Sequence, residues 1–416
     1  MAARNVPRFL HSFSKPTATD DVFLRLVEGQ GATVVDNRGK RYIDALASLW
    51  YCQVGHGRAE IVDAITAQAH RLQAFHTFER FTNDPADRLA NELAAIAPME
   101  DARVFLTSGG SEAVDTAIKL ARVAHFVAGE PERTLVISRA PSYHGVTFGA
   151  VSATGLPLNQ LGFGPLVGGV AQVPHDDLDA IDAAVEANGG PGTVAAIIAE
   201  PVIGAGGVLP PAPGYLQGLR ERADRYGAFL ILDEVICGFG RMGAWFAAVR
   251  YGVTPDLVTF AKGVTSGYQP VGGVLVGRAV RDRLEADPDF LLRHGTTYSG
   301  HPIACAAAVA NLRVIRDERL AERADPIGDR LRAGLEKAVD GERVLSVRGE
   351  GAMAAARIDP EGPSAIAIRD EMLERGVIAR PLGTDVMAFC PPLVISDDQL
   401  DEVTGTFADA VLALSR

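Results

Sequence analysis

Ionisable residues stand where apolar runs stop. "AAIIAE" ends in Glu200, "FLILDE" in Asp233 and Glu234, and "LVTFAK" in Lys262. A lysine that closes a buried run loses hydration, which favours its neutral, nucleophilic form. Such an amine suits Schiff-base formation with a carbonyl. Gly263, next along, leaves room for a ligand close to the backbone. Asp233 lies 29 residues earlier. A carboxylate there could hold a ring nitrogen in its protonated form and so strengthen the ring's electron withdrawal. Lysine is also scarce. Among 40 basic residues there are five, namely Lys15, Lys40, Lys119, Lys262 and Lys337, and each merits separate attention.

Two further stretches could complete such a site. In "TSGGSEAVDTAIKLAR", residues 107–122, Ser108, Gly109, Gly110 and Ser111 run into a helical pattern. Free N–H groups and the positive dipole end at a helix start attract an anion. In "SYHGVTFG", residues 142–149, Tyr143 and His144 could set a flat ring against a planar ligand. Taken singly, each has an ordinary explanation: a lysine snorkelling from a strand end, a carboxylate capping a helix, a serine cap, a packed aromatic. Together they supply an anion cup, a ring face, a partner for a pyridinium nitrogen and an amine for an aldehyde. Those are the needs of pyridoxal 5'-phosphate.

These residues need elements to position them. "RTLVISR", "VAAIIAE", "AFLILDE" and "DLVTFAK" are nearly continuous apolar, β-branched runs, as in strands buried on both faces. Between them, "PGYLQGLRERADRYG" places Leu216, Leu219 and Ala223 at helical spacing. The alternation predicts an α/β fold: a mostly parallel central sheet with helices on both faces. Ligands of such sheets gather at the carboxyl ends of the strands, where Glu200, Asp233 and Lys262 fall. The chain ends differ. "ATVVDNRGKRYIDALASLW" suggests a hairpin turning at Asp36–Gly39, and beyond about residue 325 come a helix, several strands and a last helix. The expected division is 1–55 as an N-terminal segment of a smaller α+β domain, 56–324 as a large domain, and 325–416 as the rest of the small one.

Bulk properties set limits. The 416 residues carry a net charge of −12 and show no basic stripe, which argues against nucleic acid as a partner. No apolar run approaches the length needed to span a bilayer, so no membrane partner is expected. The opening "MAARNVPRFLHSFSKPTATD" lacks the apolar core of a secretory signal; it is basic with no acid before Asp20, which leaves a transit peptide as a weak alternative. Cys52, Cys237, Cys305 and Cys390 form no CxxC pair, as expected of reduced thiols in a cytoplasmic enzyme. The nine histidines show no metal-ligand spacing, so no metal is expected.

"GFGRMG", residues 238–243, fits the glycine pattern of a dinucleotide turn. An NAD-dependent dehydrogenase built on it is disfavoured. Asp233 and Glu234 would repel a pyrophosphate, and Asp256, only 16 residues past Gly240, is misplaced to hold a ribose.

The set "LTSGGSEAVDTAIKLAR", "SYHG", "AEPVIGAGGV", "LILDEVICGFGRMG", "FAKGVTSGYQPVGG" and "HGTTYSGHPIACAAA" resembles the class III, omega-type, pyridoxal-phosphate-dependent aminotransferases of fold type I. The likeness runs from about residue 20 to the C-terminus. It implies that Lys262 forms the Schiff base with the cofactor and that Asp233 pairs with the pyridinium nitrogen. It gives Gly110 and Ser111 to the phosphate, and Tyr143 and Val235 to opposite ring faces, with His144 and Glu200 also at the cofactor. Thr297 would reach the phosphate of a neighbouring subunit's cofactor, so a homodimer is implied, and dimers could pair into tetramers. "SLWYCQVGHGR" points to the amine and ω-amino acid:pyruvate branch, with Trp50 and Phe78 as pocket walls and Arg380 as the receiver of a substrate carboxylate. A "GAGG" with Ala205, where ornithine-type members carry a glutamate, favours a neutral pocket. Aminomutase, decarboxylase and racemase activities use the same apparatus and stand as alternatives.

Overall fold

A computed structural model describes residues 6–414; residues 1–5, where the acid-free leader begins, and 415–416 lie outside the described residues. The centre is a seven-stranded sheet. Its strands are β1 (Arg103–Thr107), β2 (Leu135–Ala140), β3 (Val170–Pro174), β4 (Val194–Ala199), β5 (Phe229–Asp233), β6 (Leu257–Phe260) and β7 (Gly272–Val276). They lie in the order β1-β7-β6-β5-β4-β2-β3. All neighbours are parallel except β7, which runs antiparallel to both β1 and β6.

The continuous apolarity of these runs has a plain cause. Side chains alternate across a strand, and both faces are covered. Phe229 and Ile231 of β5 join one core with Val114, Ala117 and Ala121 of helix α1 (Gly110–Val127). Leu230 and Leu232 join the opposite core with Leu216, Leu219 and Ala223 of α2 (Tyr215–Tyr226). Helix α2 stops at Gly227, whose φ of 62° is the left-handed conformation that ends helices.

The antiparallel strand β7 is hidden in the sequence by its glycines. A Cβ on Gly273 would lie 2.4 Å from the carbonyl oxygen of Phe105, and one on Gly272 2.7 Å from the Gly109 carbonyl carbon. The backbone therefore passes too close to β1 and the loop after it for any side chain.

The two chain ends meet. Leu26–Gln30, Thr33–Asp36 and Arg41–Asp44 form an antiparallel sheet that Val377–Ile378 extends in parallel. The hairpin turn sits where expected, with the Asp36 carboxylate accepting from the N–H groups of Arg38 and Lys40. A second antiparallel sheet holds Val344–Glu350, Met353–Ile358, Val386–Phe389 and Arg380–Leu382. Among the described residues, no helix is long and apolar enough to cross a membrane, and no cluster of three or more His, Cys, Asp or Glu could hold a metal.

Candidate active site

Strands β4, β5 and β6 are adjacent and parallel, so their carboxyl ends open side by side. Glu200 follows β4, Asp233 ends β5 and Lys262 stands two residues past β6. All three line one cavity of about 400 Å³. The Lys262 amine enters it from a short 3-10 turn, Lys262–Val264. Burial lowers the amine's pKa, against the opposing pull of the Asp233 and Glu200 charges.

Asp233 is 3% exposed and held on every side. One carboxylate oxygen lies 2.7 Å from Nδ1 of the buried His144. The other accepts from the Thr259 hydroxyl at 2.9 Å and from the Val235 N–H at 3.2 Å. A carboxylate so bonded keeps its position without filling the cavity. Glu200 braces the loops above: its oxygens accept from the N–H of Tyr143 and of Gly204, each at 2.9 Å. That bond holds the segment carrying Tyr143 and His144 over the strand ends. Burial raises the Glu200 pKa.

The anion cup is the start of α1. Gly109, extended at φ −176°, precedes it, and its first turn has no side-chain cap. The Glu112 carboxylate instead folds back to the Ser108 N–H at 2.8 Å. Ser111 Oγ accepts from the Val146 N–H at 3.0 Å, tying the cup to the Tyr143 loop. A Cβ on Gly110 would lie 3.1 Å from Val235, so glycine there lets the helix start sit against the cavity wall.

Four sequence-predicted residues are not in this single-chain cavity. Trp50 is 2% exposed and packs in a core with Leu46, Val202 and Ile236. The chain twists there through positive φ at Ala47, Ser48 and Trp50, which buries Trp50 and turns Tyr51 into the cavity instead. Phe78 is 43% exposed and stands over Gly295. Thr297 is exposed outside the cavity. Arg380 is half-buried beside it: its guanidinium interacts with Tyr143, and its buried Nε has no partner.

The family model for class-III aminotransferases matches residues 15–411. The chain belongs to the class-III aminotransferases. An omega-aminotransferase of Caulobacter vibrioides is 37% identical, over 88% of each chain. An acetylornithine aminotransferase of Xylella fastidiosa is 40% identical, over 90% of this chain and 89% of that one. An (S)-enantioselective omega-transaminase from Thermomicrobium roseum superposes with a TM-score of 0.94 at 36% identity, covering 100% of this chain and 98% of that one. The omega transaminase of Pseudomonas jessenii, solved in complex with PMP, gives 0.92 at 33%, covering 99% and 97%. The aminotransferase fold, with its mostly parallel sheet, is therefore the one expected.

In this aminotransferase, "GFGRMG" is no dinucleotide turn. Phe239 and Gly240 donate to the carbonyls of Trp245 and Ala244, closing a loop rather than opening a helix. Arg241 is buried and donates to the carbonyls of Ala352 and Pro391. Gly263 likewise has another cause than ligand approach: a Cβ there would lie 2.1 Å from the Gln53 side chain. Glu234, at the same strand end as Asp233, points away and caps α3 (Ala247–Tyr251), accepting from the N–H groups of Ala247 and Ala248. Thr259, inside an apolar run, gave no sequence signal. Its role follows only from the register that sets it beside Asp233.

Proposed function

We propose that this aminotransferase uses pyridoxal 5'-phosphate to move an amino group from an amine or ω-amino acid to a 2-oxo acid, with pyruvate as the preferred acceptor, in a ping-pong cycle. The observation that carries this reading is the shared cavity: a buried amine of lowered pKa and a fully bonded carboxylate on neighbouring strand ends. The residues fit the cofactor. Gly110 and Ser111 would hold its phosphate, with Thr297 of a second subunit. Tyr143 and Val235 would flank its ring, Asp233 would hold the proton on the ring nitrogen, and Lys262 would bind the aldehyde.

When bound, the cofactor supplies an electron sink for the charge left when a proton leaves the amine-bearing carbon. The protein's part is to move that proton. Lys262 Nζ, whose neutral form burial favours, would take it as a general base and return it on the far side of the transfer. His144 and Thr259 fix the Asp233 carboxylate, so the negative charge next to the ring nitrogen needs no rearrangement during the reaction. Among the described residues no acid pairs with Arg380, which leaves its guanidinium to bind the carboxylate of pyruvate or of an ω-amino acid.

Sequence identity does not choose the donor, since an acetylornithine relative is as similar as an omega-type one. Ala205, where a glutamate would mark the ornithine type, favours the neutral-amine reading. A homodimer is supported by exposed apolar residues beside Thr297 and Phe78, including Phe75, Phe81, Leu291 and Tyr298. We also propose the division 1–55, 56–324 and 325–416, supported by the joint sheet of the two ends. A cytoplasmic setting fits four buried, unpaired cysteines. A screen of amine donors with pyruvate and with 2-oxoglutarate, scored by alanine and glutamate formed, tests the function. Absence of both products with every donor would overturn it.

A further inference from the structure

Lys262 has an unusual backbone. Its φ is +47°, in the left-handed region that residues with a Cβ rarely occupy. Such a conformation persists only where the surroundings over-determine it. Three side chains do so here. Asn311, buried in helix α4 (Pro302–Asp317), donates through Nδ2 to the carbonyl oxygens of Gly263 at 2.8 Å and Val264 at 2.9 Å. Among the described residues it is the only side chain that donates to either. From the other side, Gln53 and Phe239 fill the space where a Cβ on Gly263 would go, at 2.1 and 3.0 Å. The turn's own bonds are longer, with Val264 N to Ala261 O at 3.1 Å and Thr265 N to Lys262 O at 3.3 Å.

We propose that Asn311 is a positioning residue for Lys262: its amide clamps the two peptide units after the lysine and so aims the amine into the cavity. The chemistry of the side chain is specific. A carboxamide of this length offers two N–H groups in one plane to two carbonyls; aspartate would face them with lone pairs, and leucine with nothing. A flipped amide would set oxygen against oxygen, so the donors are fixed by their partners. Asn311 Oδ1 is buried without a partner, as expected of a side chain held for its donors. The inference rests on Lys262 being the reactive amine, as proposed above.

Two variants test it. Asn311→Leu keeps the branched outline and removes both donors; Asn311→Ser keeps one. With the holoenzyme, kcat should fall about tenfold in Asn311→Leu with little change in KM for the amine donor, as misaimed reacting groups produce. In cofactor-free protein, Lys262 acetylation by acetic anhydride is followed by peptide mass against pH, with exposed Lys337 as internal reference. Its midpoint should shift relative to wild type in Asn311→Leu, with Asn311→Ser between the two. A loss of thermal stability alone, with kcat and the Lys262 midpoint unchanged, would show Asn311 to be packing and overturn the proposal. If Asn311→Leu does not fold, Asn311→Ser decides by the same two readings. Lys262 lacking a borohydride-fixed adduct in wild type would sink the underlying reading instead, while the acetylation midpoint still decides the clamp.

Discussion

The strand-end region and the loop region of this enzyme are built to different standards. Glu200, Asp233 and Lys262 stand at the ends of three neighbouring parallel strands whose register the buried core dictates, and the two carboxylates are hydrogen-bonded on both oxygens. Phe78, Thr297 and Arg380 sit on loops or a short edge strand, exposed or with unpartnered atoms, and do not reach the cavity within one chain. The difference teaches where each half of the chemistry is made. On the reading proposed above, the proton-moving half lies within one subunit, its carboxylates fixed by hydrogen bonds. On the same reading the substrate-recognising half is left open in the single chain, and a second subunit and the substrate would finish it.

Substitutions can break that comparison, beginning with the strand ends. Lys262→Ala should abolish turnover in the donor–pyruvate assay and leave no adduct at position 262 after borohydride and peptide mapping. Normal turnover would end the assignment. Asp233→Ala should lower kcat by about 10²–10³, the loss typical of removing one preorganised electrostatic group at a reacting centre. Phosphate anchoring should survive, read as cofactor retained on a desalting column. On the loop side, Arg380→Ala should raise KM for pyruvate about 10–100-fold, the cost of a lost charged hydrogen-bond pair. The half-reaction with a simple amine, which carries no carboxylate, should stay close to wild type. If Arg380→Ala instead crippled both half-reactions alike, the division between the two regions would fail.

A finer contrast lies within one strand end. Asp233 faces the cavity, whereas Glu234 next to it is buried against α3 and pushed up to about 7 by loss of hydration. Its folded form thus holds a proton that the unfolded chain, near 4.5, releases. The stabilisation is complete below about pH 4.5 and is lost as pH rises towards 7, by at most about 3 kcal/mol. Glu234→Gln should flatten the fall in Tm over that window. An unchanged slope in Tm against pH would show that Glu234 is ionised throughout.

Much of the site was legible in the chain because desolvation writes itself into sequence. A strand covered on both faces reads as a continuous apolar run, so an ionisable residue at its end stands out, as Lys262 and Asp233 do. The loops carried no such signal. Trp50 and Tyr51 are adjacent aromatics, and nothing in their order says which one the positive-φ turn buries. Gly263 reads as room for a ligand but makes room for Gln53. Strand β7 hides behind two glycines whose reason is a neighbouring backbone.

By itself, then, the sequence determined the candidate side chains for chemistry, the parallel strands that end in them and the family to which the chain belongs. Those follow from residue type and local periodicity. Only the tertiary structure decided that Thr259 and His144 hold Asp233, that Asn311 meets the Lys262 turn from 48 and 47 residues away, and that Tyr51 lines the single-chain cavity while Trp50 packs in a core. Those contacts join distant parts of the chain. Their partners are chosen by register, strand order and helix docking, which no local pattern records.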